Sequence, residues 1–122
     1  MVRFMVLIMV LGSMLLAGPV AAHGPSDVEV TYDPETHILR VHAYHDSKNA
    51  AEHYVNKIAV KVNGKKMVEQ VFRSQTDRLH QEALFLIIDA GVGDTIDVMA
   101  GCNIHGKKTV SMRISAPEPE AE

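Results

Sequence analysis

From residue 27 onward, polar and apolar positions alternate in short runs separated by turn residues, and no stretch sustains the spacing of an amphipathic helix. Asp27 to Tyr32 alternates polar with β-branched residues and meets a turn at Asp33-Pro34-Glu35-Thr36. In Ile38 to Tyr44, Leu39, Val41 and Ala43 share one face and Arg40 and His42 the other, and His45 falls on the Leu39 face at the strand's end. Tyr54 to Val62 places Ile58, Val60 and Val62 on one face and runs into Asn63-Gly64, the strongest hairpin signal in the chain, from which Met67 to Arg73 returns. Leu79 to Ile88 is a long apolar run, closed by Gly91-Val92-Gly93-Asp94; Thr95 to Met99 and Lys108 to Ser115 complete seven predicted strands. Alternating strands at this spacing predict an all-β, immunoglobulin-like β-sandwich of about seven strands, without fixing the strand pairing.

The ends of the 122-residue chain read differently. Arg3, the apolar run Phe4 to Leu16, the helix-breaking Gly18-Pro19 and the small residues Val20-Ala21-Ala22 have the pattern of a secretory signal peptide cut after Ala22. The apolar run of roughly 14 residues is short of the ~20 needed to span a bilayer, so no membrane span is expected after cleavage. The expected organisation is therefore a signal peptide over 1–22, one domain over 23–115 and an acidic, proline-containing disordered tail over 116–122, in a protein exported to the periplasm or beyond the membrane. Without Arg3 the chain carries 11 basic against 15 acidic residues, with no basic stripe to attract nucleic acid. Nothing in the pattern sets the oligomeric state, a homo-oligomer included.

Candidate chemistry enters through one cysteine and seven histidines. A single cysteine in an exported chain has no internal disulfide partner, so Cys102 is buried, reactive, bridged between molecules or bound to a metal. Cys102 and His105 have the Cys-x-x-His spacing that lets a thiolate and an imidazole converge on zinc, iron or copper. His42, His45 and His53 cluster around the connection between the second and third predicted strands, which in a sandwich shares an end with the connection between the sixth and seventh.

The stretch Gly93 to Gly106, ending in Gly-Cys-Asn-Ile-His-Gly, together with His53-Tyr54-Val55-Asn56-Lys57-Ile58 and Asn63-Gly64-Lys65, resembles the iron-binding domain of the desulfoferrodoxins and neelaredoxins, the superoxide reductases. The resemblance implies one mononuclear non-haem iron, Fe(II)/Fe(III), held by four histidines and an axial cysteine thiolate with a sixth position open. Carried over by position, Cys102 is the axial ligand and His105, His53 and His45 are equatorial; His23, in the context His23-Gly24-Pro25, is the fourth, with His42 as its substitute and His80 and His37 as weaker ones. It further implies one-electron reduction of superoxide to hydrogen peroxide, with electrons from an external donor protein, since the cysteine-rich donor module of some relatives has no counterpart in a chain with one cysteine. Lys48 is the nearby cation that could attract superoxide. The chain departs from the family in having seven residues between His45 and His53, Asp46 where a proline is usual, and Lys57 where an aromatic is usual.

Two other classes share these features. A cupredoxin-like electron-transfer protein also combines a β-sandwich, one cysteine, histidines and a methionine, here Met112. An exported immunoglobulin-like binding module without redox chemistry would bury Cys102 as an ordinary core residue.

Overall fold

The computed structural model describes residues 23–116, so the expected signal peptide and all but the first residue of the expected tail lie outside the described residues. Seven strands form: β1 (Asp27–Asp33), β2 (Ile38–Tyr44), β3 (Val55–Val62), β4 (Lys65–Val71), β5 (His80–Leu86), β6 (Thr95–Cys102) and β7 (Lys107–Arg113). They make two antiparallel sheets, one ordered β1-β2-β5 and the other β4-β3-β6-β7. The fold is thus the expected all-β sandwich. The fourth strand pairs with the third, and not with the fifth as it would in a constant-type immunoglobulin domain. Among the described residues no helix is long and apolar enough to cross a membrane.

The inward positions of the facing strands make the core. Leu39, Val41 and Ala43 on β2, and Ala83 and Phe85 on β5, meet Ile58, Val60 and Val62 on β3, and Ile96, Val98 and Ala100 on β6. Outward positions alternate with them, as in the pattern of β5, where Leu84 and Leu86 face solvent. The sequence places the end of β6 at Met99; the strand instead continues to Cys102, which pairs with Val55 at the start of β3. Between Val55 and Lys57 the register shifts, and this irregularity keeps Val55 on the buried side although its spacing from Ile58 is odd.

At the opposite end the Asn63-Gly64 turn behaves as its sequence requires, with both residues at positive φ, 50° and 81°. Its side chain also ties two connections together. Asn63 Nδ2 donates to Asp94 Oδ1 at 3.0 Å, its Oδ1 accepts from the Thr95 N–H at 3.0 Å, and Asp94 Oδ2 accepts from the Gly91 N–H at 2.9 Å. These donors, the Asn63 amide first and the Gly91 N–H second, hold the Asp94 carboxyl below its ordinary value of 3.8. A carboxyl depressed in the folded state adds stability that is complete above the unfolded value and lost as pH falls through the folded one. Asp94→Asn should therefore lower stability at neutral pH yet lose less on acidification below 3.8 than the parent chain, as chemical denaturation at about pH 7 and about pH 3 will measure.

Candidate metal centre

Each inward row continues past the apolar core into a polar residue at the same end of the sandwich. On β2 the series Leu39, Val41, Ala43 leads by the same two-residue step to His45, which is fully buried; on β6, Ile96, Val98 and Ala100 lead to Cys102. On β3, Val55 leads back to His53. One ligand-type atom from each of His45, His53 and Cys102 lies within 4.8 Å of the other two. His53 Nε2 is 3.1 Å from Cys102 Sγ, and the rings of His45 and His53 are nearly perpendicular with centroids 4.6 Å apart.

His23 lies beside the group, from the other end of the described chain, though its donor atoms are not part of the close set. Its ring lies 5.6 Å from that of His45 and 5.9 Å from that of His53. It is held there by an approach that admits only glycines. A Cβ on Gly24 would meet the Gly106 carbonyl carbon and the Lys107 nitrogen at 2.9 Å, and one on Gly106 would meet the Gly24 nitrogen at 2.6 Å. Gly106 also has a φ of 90°, which closes the loop so that the Cys102 N–H donates to its carbonyl at 2.9 Å. Asn103 fastens this loop to the one before β3: its Oδ1 accepts from the Tyr54 N–H and its Nδ2 donates to the Glu52 carbonyl, each at 2.9 Å.

A residue that the sequence did not single out fixes the buried imidazole. Gln75, 7% exposed, donates through Nε2 to the carbonyls of His45 and Asp77, and its Oε1 accepts from the Val55 N–H. Those contacts settle which end of the amide is oxygen, so His45 Nδ1, 2.8 Å from Oε1, is the protonated nitrogen. His45 Nε2 lies 3.2 Å from the His23 carbonyl oxygen, an acceptor, so a ring proton or a bound cation satisfies that contact. An imidazole anchored through Nδ1–H with Nε2 free is the usual state of a metal-binding histidine. Burial first, and then the positive charge that His45 and His23 carry when protonated, hold the His53 pKa below its ordinary value of 6.5, which favours the neutral ring that ligation requires.

The ring spacings fit an ion. A metal–nitrogen bond of about 2.1 Å puts an imidazole centroid about 3.2 Å from the ion, so that adjacent rings sit about 4.6 Å apart and opposite rings about 6.5 Å. The His45–His53 separation matches the adjacent value, whereas His23, at 5.6 and 5.9 Å, lies between the two.

The remaining candidates are placed apart from this group. His105 is exposed on the loop after Cys102 and lines a hollow with Cys102, Lys57 and Lys107; its donor atoms are not part of the close set. His42, the substitute for His23, faces outward on β2 and stacks on His80. His37 lies near the Tyr32 hydroxyl, at 3.1 Å. Lys48 borders a separate hollow of about 420 Å³ with His23 and His53, together with Asp46 and Glu52. No protein-family profile matches the chain, and no curated protein matches it.

Two variants test how the centre is held. Gln75→Leu leaves the His45 ring, the Val55 N–H and two carbonyls without their partner and should lower the unfolding free energy by about 2–4 kcal/mol, measured by denaturant titration. Gly24→Ala forces the segment off Gly106 and should weaken metal binding by roughly ten- to a hundredfold while leaving the sheets' circular dichroism intact.

Proposed function

We propose that the chain holds one mononuclear non-haem iron and acts as a superoxide reductase. The observation that carries the reading is the convergence of the Cys102 thiol with the imidazoles of His45 and His53 at the end of the sandwich, with the His23 ring 5.6 and 5.9 Å from theirs. Iron bound there would supply one electron to superoxide, which with two protons becomes hydrogen peroxide, and an external donor protein would return the iron to the ferrous state.

The chain's own groups divide the work. Cys102 provides the anionic sulfur, and its Sγ is approached at 3.4 Å by the Ile104 N–H, a contact that tempers the charge on a thiolate. His45 and His53 would supply imidazole nitrogens, His45 oriented by Gln75, with His23 beside them. Cys102 lines one hollow and His23, His53 and Lys48 line another, so the thiol and the more open imidazoles face different approaches. A small anion would enter beside Lys48. Asp46 and Glu52 share that mouth, so attraction there depends on the charge of a bound ion and not on Lys48 alone. His105 belongs to the ligand set implied by the resemblance, and it would have to swing inward from its exposed loop to join.

A second reading has a specific observation in its favour, because two imidazoles and a thiolate are also the trigonal set of a blue-copper site. Its axial methionine is wanting in the expected place. Met112 pairs with Ile96, six residues along β6 from Cys102 and hence about 20 Å away.

The test is direct. The purified full-length chain, reconstituted with ferrous iron, should retain one iron per chain, show a visible thiolate-to-iron band on oxidation and consume pulse-generated superoxide with formation of peroxide. Cys102→Ala should abolish the band and the reaction, and His105→Ala should reduce iron retention less than His53→Ala does. Iron retention without superoxide consumption would reject the reductase and keep the metal centre; preference for copper with an intense blue band would favour the second reading.

A further inference from the structure

The outer face of the β1-β2-β5 sheet carries a second convergence of donor groups, separate from Cys102. Cross-strand register sets it up: Glu29, His42 and Glu82 lie side by side across the three strands, and Tyr44 pairs with His80 in the neighbouring row. All of these positions point away from the core, since they alternate with Val41, Ala43 and Ala83. The rings of His42 and His80 stack with centroids 4.2 Å apart and planes inclined by 6°. His42 Nδ1 is 3.7 Å from Glu82 Oε1, and a donor atom from each of His42, His80 and Glu82 lies within 4.8 Å of the other two.

The arrangement is built, not merely crowded. Asp77 Oδ1 accepts the N–H groups of Leu79 at 2.8 Å and His80 at 2.9 Å, and its Oδ2 accepts from His80 Nδ1 at 2.8 Å. A carboxylate anchored by two backbone donors thus fixes the His80 tautomer and leaves Nε2 with its lone pair, as in carboxylate–histidine–metal relays. The His80 side chain is 19% exposed and that of His42 28%, enough for an ion to arrive from solvent. Neighbouring Glu29, whose Oε2 accepts from the Tyr44 hydroxyl at 3.2 Å, adds negative charge beside the two rings.

We propose that His42, His80 and Glu82 form a second metal site, for a divalent ion of the zinc or copper(II) class, on the outer face of this sheet. Imidazole and carboxylate without thiolate select these borderline ions, and three protein ligands leave a position for water. Bonds of about 2.0–2.2 Å ask for donor separations of about 3.4 Å in a tetrahedral site, which modest side-chain rotations supply. The site owes nothing to Cys102, and the chemistry at the end of the sandwich does not decide whether it exists.

Titration of the full-length chain with Zn²⁺ alone, in the parent and in a Cys102→Ser background, tests it by calorimetry and by the imidazole proton resonances. The expected result is that one zinc per chain persists in Cys102→Ser and shifts the His42 and His80 ring signals. His42→Gln and His80→Gln, which keep side-chain bulk on a surface position, should each weaken that event by roughly ten- to a hundredfold, and Glu82→Gln should weaken it also. Bound Cu²⁺ should show two-nitrogen superhyperfine structure that is lost in His42→Gln. Zinc affinity and stoichiometry unchanged in both histidine variants, or no movement of the His42 and His80 signals at one equivalent, would overturn the proposal.

Discussion

The two-residue period of the strands is the constraint on which both the core and the candidate centre rest. A strand cannot change the face it presents without a slip in register, so once Leu39, Val41 and Ala43 are committed to the interior, His45 is committed with them. The same holds for Cys102 behind Ile96, Val98 and Ala100. The polar cluster is the last layer of the core, in which side chains capable of holding a cation take the place of valine and alanine.

Placing polar groups in that layer carries a cost, and the structure meets it locally. An imidazole without solvent must find partners for both nitrogens, and Gln75 provides one while also satisfying the Val55 amide and two carbonyls. Ser47, likewise buried, donates its hydroxyl to the His53 carbonyl. These contacts order the long β2–β3 connection, which otherwise has no regular structure to stiffen it. Rigid placement of His45 and His53 is the result, in a loop of a length that would ordinarily wander.

Much of this was legible in the chain. The alternation named the strands, Asn63-Gly64 named the hairpin, and the Leu39 series already assigned His45 to the inner face. Strand pairing beyond that hairpin was not legible, because backbone hydrogen bonds carry little sequence signature; that β2 joins β5 and β3 joins β6 emerges only from the fold. The irregularity at Val55–Lys57 shifts residues between faces without a glycine or proline to announce it. Gln75 was invisible for another reason: its neighbours Ser74, Thr76 and Asp77 are the ordinary vocabulary of a surface connection, and only its depth distinguishes it. The histidines on the outer sheet face read singly as solvent-facing, and it took cross-strand register to bring His42 against His80.

The fit of Gly24 against Gly106 has a consequence for biosynthesis. These two residues are separated by nearly the whole domain, yet their backbones must touch before His23 can reach the rings of His45 and His53. A nascent chain still lacking its last strand owns two of the loop imidazoles but has nothing to clamp the first one. The first imidazole is therefore placed only when both ends of the domain are in contact, so its position reports on the whole sandwich and not on the loop alone.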